Sequence, residues 1–248
     1  MSLPTLHHSF ITLHENNDTY KLCAELSVLY AINSGYDIVL HTDEKGAKIF
    51  KDLQYTDILC DLNDVQKAPG RIYAHSKFAA YENIPLGDIH IDADVFIKKP
   101  CLKEFGDVIV QGVESIYDER FGCFWNESVR VFFRCDYPIW ASRKCEYMYN
   151  CGVIGFNNEK LKKEFIDSYW WMLDQYKTKG VDAPSVPDII IEQQFLYDIC
   201  KYYDAKVTKV LDNITFKHAD DIGYQHLLGQ SKHREIENIK YNIKKLKS

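Results

Sequence analysis

The sequence predicts an α/β protein with a mixed, mainly parallel central sheet flanked by helices. Two observations carry this. Through the first hundred residues, short strand-like runs alternate with segments whose apolar residues recur at helical spacing, the pattern of βαβ units. No low-complexity linker, internal repeat or Gly/Ser spacer interrupts the 248 residues, so one continuous domain, 1–248, is the expectation. Its parts are a first half (1–100) whose alternation resembles that of nucleotide-binding folds, a mixed second half (101–231) and a basic tail (232–248).

The elements follow in order. "TLHHSFITLH" (5–14) is a first strand. "DTYKLCAELSVLYAINSG" (18–35) is a helix with Asp18 as N-cap, Gly35 just past its end, and Leu22, Leu26, Leu29 and Ile32 on one face. "YDIVLHT" is a strand, "DEKGAKIFKDL" a short helix, "TDILCDL" a strand and "RIYAHSKFAAYENI" a helix, leading into the strand-like "GDIHIDADVF" (87–96). After Pro100 the pattern changes: "GDVIVQGVES", "SVRVFFRC" and "EYMYNCGVIGFNN" are strand-like. "EKLKKEFIDSYWWMLDQYKTKG" is a long helix ended by Gly180, and "PDIIIEQQFLYDICKYY" a helix with Pro187 near its first turn. A strand "AKVTKVL" and an irregular stretch precede the C-terminal tail.

Composition excludes several classes. The chain is 46% hydrophobic and 27% charged, as ordinary globular proteins are. A net charge of -6 and a pI near 5.8 argue against a nucleic-acid partner. No apolar run approaches the ~20 residues a bilayer span needs, and the start "MSLPTLHHSF" lacks a signal-peptide pattern, so a cytoplasmic location is expected. The eight cysteines form no CxxC pair and mostly sit among apolar neighbours, which predicts buried, reduced thiols.

The tail from Lys232 to Ser248 carries six Lys or Arg against two Glu, with Ile236, Ile239, Ile243 and Leu246 forming a helical stripe. Such a helix either docks on its own domain or makes a peripheral contact with an anionic membrane.

The chemistry concentrates at Asp92 and Asp94. In an extended strand, residues i and i+2 point the same way, so the two carboxylates would converge at the strand's C-terminal end. Ligands of open α/β sheets bind outside those ends. Two crowded carboxylates repel unless one is protonated or a cation lies between them; a hard divalent cation resolves this and can also hold a diphosphate. A HAD-type phosphatase also bears DxD at a strand end, but after its first strand and followed by Gly-Thr or similar. Here the pair lies some ninety residues in and continues Val95-Phe96. Far along the chain, "HLLGQSK" sets His226, Gly229 and Lys232 in an HxxGxxK arrangement. An imidazole can complete a coordination shell, a glycine lets backbone approach phosphate, and a lysine neutralises phosphate oxygens.

"HIDADVF" with a distal HxxGxxK resembles the retaining GT-A glycosyltransferases of family 8, the glycogenin and bacterial galactosyltransferase group. "AHSKFAAYE", "YNCGVIGFN" and "IIIEQQFL" resemble further family segments in the same order, with departures at Cys151, Glu192 and His233-Arg234. The resemblance implies one Rossmann-like GT-A domain and a metal-dependent transfer of sugar from a nucleotide diphosphate sugar, a UDP-sugar, to a glycan or other hydroxyl acceptor. Retention of anomeric configuration is implied as well. Asp92, Asp94 and His226 would hold Mn²⁺ or Mg²⁺, and Lys232 would face the departing diphosphate. Glu192 and Gln193 would lie beside the anomeric carbon, with Lys77, Asn150 and Gly152 lining the donor cleft. Gly229 and Ala93 would admit the donor closely. His14, Tyr20 and Asp43 are candidates to contact the base, with a satisfied structural role the alternative for each. A non-catalytic nucleotide-sugar or glycan-binding protein of the same fold is the competing reading.

Overall fold

The computed structural model describes residues 3–12, 18–65, 74–115, 136–142, 146–178, 189–212, 220–229 and 231–248. Nine strands occur among them: β1 (Leu6–Phe10), β2 (Ile38–Thr42), β3 (Asp57–Leu59), β4 (Ile89–Ile91), β5 (Val95–Ile97), β6 (Val108–Ser115), β7 (Tyr147–Phe156), β8 (Val207–Lys209) and β9 (Tyr224–His226). Seven form one sheet in the order β3-β2-β1-β4-β7-β6-β8. Only β7 runs against the rest, pairing antiparallel with both β4 and β6. The mixed, mainly parallel sheet is therefore as expected, and it is built from strands of both halves of the chain.

The helices are α1 (Asp18–Asn33), α2 (Glu44–Phe50), α3 (His75–Asn83), α4 (Glu159–Thr178), α5 (Phe195–Tyr202), α6 (Ser231–Arg234) and α7 (Ile236–Lys247), with a π-helical turn (Ile189–Gln194) leading into α5. Alternation along β1 assigns its two faces. Leu6 and Phe10 cluster with Val28 and Ala24 of α1, whereas Ser9 points to Ser76 of α3. On the α3 side, Phe78, Tyr81, Phe165, Tyr169 and Phe195 form one core, with Phe78 and Tyr169 stacked 4.0 Å apart. At the end of α1, Gly35 takes φ +85°, a left-handed stop that glycine adopts without strain.

Several expectations are corrected. Asp18 is the first residue of α1. β3 is shorter than "TDILCDL" and lies at the sheet edge. The run 87–96 is not one strand: β4 stops at Ile91, Asp92–Asp94 turn, and β5 leaves for a separate two-stranded sheet with β9. The stretch read as irregular contains β9 and α6. Of the cysteines, Cys23, Cys151 and Cys200 are buried and Cys60 is exposed. The expected strand 128–135, Gly180 and Pro187 lie outside the described residues.

The tail helix α7 docks on its own fold. Ile239 and Ile243 are buried with Cys23, Leu26 and Leu29 of α1, Phe96 and Leu227, and Leu246 packs beside them. Of the two alternatives for this helix, the packing is that of the docked one. No described helix is long and apolar enough to cross a membrane.

Candidate functional site

The site lies where β4 ends, beside its antiparallel neighbour β7. The Asp92 N–H donates to the Gly152 carbonyl (2.9 Å) and the Val95 N–H to the Asp92 carbonyl (2.9 Å), so a tight turn pinned to β7 presents both aspartates. The carboxylates thus converge through a turn, not through strand alternation. Ala93 between them is buried against Phe10, Ala24, Leu40 and Phe50, which anchors the turn's centre in the core.

The partner elements close in from the far end of the sequence. β9 pairs with β5 in a register that sets His226 opposite Val95, and the Leu227 N–H donates to the Asp94 carbonyl (3.0 Å). One ligand-capable atom from each of Asp92, Asp94 and His226 falls within 4.8 Å of the others. His226 Nε2 is 3.3 Å from Asp94 Oδ1, and Lys232 Nζ donates to Asp94 Oδ2 at 2.7 Å. Burial alone would raise the Asp94 pKa, but His226 and then Lys232 outweigh it and hold the carboxyl well below its usual range. Burial likewise opposes the Lys232 ammonium, yet Asp94 keeps its pKa raised.

A second charged group adjoins the first. Lys77 of α3 forms an ion pair with Asp92 Oδ1 at 2.8 Å and reaches Glu192 Oε1 at 3.1 Å. The Tyr81 hydroxyl donates to the same Glu192 oxygen at 3.0 Å. Burial works against the Lys77 charge, but Asp92 and Glu192 together hold it well above the ordinary lysine range. Glu192 is raised by burial, with Lys77 pulling the other way. Its neighbour Gln193 keeps Oε1 buried without a hydrogen bond among the described residues. Both residues sit in the π-helical turn, 189–194.

The loop after β9 completes the arrangement. Gly229 has φ +56°, a conformation glycine adopts without strain, and a Cβ there would meet nothing within 4 Å. Gly152 does the opposite: a Cβ there would come 2.4 Å from His226 Cε1 and 2.6 Å from Gln111 Oε1. Glycine is what lets the imidazole lie on β7.

The structure thus brings together Asp92, Asp94, His226, Lys232, Lys77, Glu192 and Gly152. Asn150 is buried within β7, donating to Glu114 Oε1 (2.9 Å) and accepting from the Gly152 N–H (2.9 Å), so it shapes the strand beneath the cleft. Two of the base-contact candidates have structural partners. The Tyr20 hydroxyl donates to the Ser9 carbonyl (2.8 Å), and its ring packs on Phe10 and Phe50. Asp43 caps α2 by accepting from the Gly46 N–H (2.7 Å) and holds Thr12 through its other oxygen. His14 and the segment "YDERFGCFWNESVRVFF" (117–133), a candidate lid or acceptor loop by its sequence, lie outside the described residues. Sequence reading missed Tyr81, Gln111, Glu114 and Tyr224. Their only local signal is polarity inside apolar runs, as in "VIVQGVE".

Two aspartate oxygens and one imidazole nitrogen are a donor set that suits Mn²⁺ or Mg²⁺. The convergence of these atoms within 4.8 Å, over a glycine cradle, fits such an ion.

The fold is that of the GT-A class. The chain is similar over 98% of its length to a galactosyltransferase, LgtC, solved with donor and acceptor sugar analogs, and the match covers 96% of that chain (TM-score 0.53, 13% identity). An active-site mutant of LgtC matches over the same shares with a TM-score of 0.50 and 13% identity. No curated protein sequence matches the chain. The chain belongs to the family of unknown function DUF6734, whose pattern it matches over residues 15–246.

Proposed function

We propose that the chain is a metal-dependent glycosyltransferase that takes a sugar from a nucleotide diphosphate sugar, a UDP-sugar, and passes it to a glycan or other hydroxyl acceptor with retention. The observation that carries the reading is the convergence of Asp92, Asp94 and His226 between two lysines, at strand ends of a GT-A fold. The similarity to LgtC supports it.

A bound divalent cation would supply charge stabilisation for the departing diphosphate. The chain's own residues do the rest. Asp92, Asp94 and His226 hold the ion. The Lys232 ammonium, on the mobile end of a four-carbon stem, turns from Asp94 to phosphate oxygens as negative charge builds there. Glu192 is buried and already engaged by Lys77 and Tyr81, which suits positioning of the donor sugar and stabilising positive charge at its anomeric carbon better than attack on it. Gln193, with its carbonyl oxygen unpartnered among the described residues, supplies a contact for a sugar hydroxyl. The acceptor hydroxyl's proton passes to the leaving phosphate oxygen as the new glycosidic bond forms on the same face.

A hydrolysis screen of UDP- and GDP-sugars with and without Mn²⁺ tests this. Metal-dependent release of UDP from at least one UDP-sugar is expected. Mn²⁺-dependent UDP binding without turnover across the panel would favour a non-catalytic binding protein of the same fold.

A further inference from the structure

The buried end of β6 carries a residue with no part in the reading so far. Gln111 is 1% exposed, and its Oε1 lies 2.6 Å from His226 Nδ1 and 2.7 Å from the Tyr224 hydroxyl. Its own backbone is held too, because the Leu211 N–H donates to the Gln111 carbonyl at 2.8 Å. The register between β6 and β7 shifts beside it: β6 advances from Val110 to Gly112 while β7 runs from Ile154 back to Asn150. Strand alternation puts Gln111 on the face of Ile109, which packs with Tyr224 of β9, and its side chain reaches across the space that Gly152 leaves open.

We propose that Gln111 is a positioning residue that fixes the tautomer and ring orientation of His226 for the divalent cation. The inference rests on the reading of Asp92, Asp94 and His226 as a cation site. An amide oxygen has no hydrogen to give, so the nitrogen facing it must donate. In the structure Oε1, not the NH₂ group, faces both the ring and the Tyr224 hydroxyl, which donates to the same oxygen. Nδ1 therefore carries the hydrogen, and Nε2, the nitrogen 3.3 Å from Asp94 Oδ1, presents its lone pair to the cation. The reverse amide orientation would donate into Nδ1, force the hydrogen onto Nε2 and block coordination. Tyr224 is fully buried and two residues from His226 on β9, so both donors reach Gln111 from one strand face.

The test uses Mn²⁺ alone, with free ion counted by electron paramagnetic resonance, on the full chain. Gln111→Leu should weaken Mn²⁺ binding roughly 10–100-fold. Gln111→Glu, which can still accept from both donors, should recover most of that loss. Equal affinity in the Leu variant, or no recovery in the Glu variant, overturns the proposal while leaving the cation site standing. If the unaltered chain binds no Mn²⁺, the cation reading itself fails and this inference falls with it. A second measurement needs no variant to fold. In the ¹⁵N-histidine spectrum of the unaltered chain with saturating Mg²⁺, the His226 Nδ1 should be protonated and Nε2 bare. A hydrogen on Nε2 under those conditions overturns the proposal.

Discussion

Lys77 and Glu192, on α3 and the π-helical turn, meet at 3.1 Å in a buried contact, and the same ammonium reaches Asp92 at 2.8 Å. One cation therefore ties the second half of the chain to the turn that bears the aspartates. Lys77→Met would leave Glu192 buried with Tyr81 as its remaining side-chain partner among the described residues. Urea denaturation at pH 7 should show a loss of about 3 kcal/mol, since breaking a buried pair strands its other charge. Adding Glu192→Gln should restore much of it. A loss below roughly 1 kcal/mol would mean that the pair is too well solvated to matter.

Gly152→Ala should be damaging in a specific way. Its Cβ would collide with the His226 ring and with Gln111 Oε1, both on well-packed elements. A stability loss of roughly 1–3 kcal/mol is expected, as for other overpacked cores. Mn²⁺ affinity should fall with it, since the imidazole must move off β7. Unchanged Mn²⁺ affinity, read by electron paramagnetic resonance, would show that His226 need not lie there.

Asp43 offers a contrasting test. Its oxygens cap α2 and hold Thr12. Asp43→Ala should cost about 1 kcal/mol of stability, the usual worth of an N-cap. UDP affinity should stay within about two-fold of the natural protein, a difference of no more than roughly 0.4 kcal/mol. A much larger loss of UDP affinity in a folded variant would return Asp43 to the binding site.

Stability should fall on mild acidification. Burial lowers the pKa of His7 to about 4 and that of His8 to about 3. His7 contacts His41 (3.0 Å) and Asp88, and His8 contacts Tyr55 (2.7 Å) and Ser27. Below the unfolded histidine pKa near 6.5, the unfolded chain takes up protons that the folded chain refuses, so the folded state loses ground as pH falls toward 4. The depressed Asp94 acts only below the unfolded aspartate pKa, outside this window. Chemical denaturation should therefore show roughly 2 kcal/mol lost per histidine between pH 7 and pH 5. A flat profile would mean that these imidazoles charge freely in the folded protein.

Much of this was legible in local pattern. The alternation of β1, α1 and β2 is written in apolar spacing, and the sheet class follows from it. Asp92 and Asp94 stood out because crowded carboxylates repel without a cation, and His226 and Lys232 joined them through the HxxGxxK arrangement and the family resemblance. What was not legible depends on pairing between distant strands. Gln111 matters only because β6 lies beside β7 and β9 beside β5, and no local spacing encodes that register. Tyr20 and Asp43 stay open between ligand and structure in the sequence for a related reason. A tyrosine or aspartate near a strand end reads the same whether it faces a ligand or satisfies a carbonyl or helix terminus, and only the partner atom tells which. The turn at 92–94 was hidden because "DIHIDADVF" keeps its apolar character on both sides of the break.

The most direct test of the cation site is calorimetric titration of UDP into the protein with and without Mn²⁺, repeated with Asp94→Asn. UDP binding that requires Mn²⁺ in the natural protein, and is lost in the variant while its fold is kept, is the predicted result. Binding that ignores Mn²⁺, or survives unchanged in Asp94→Asn, would contradict the site.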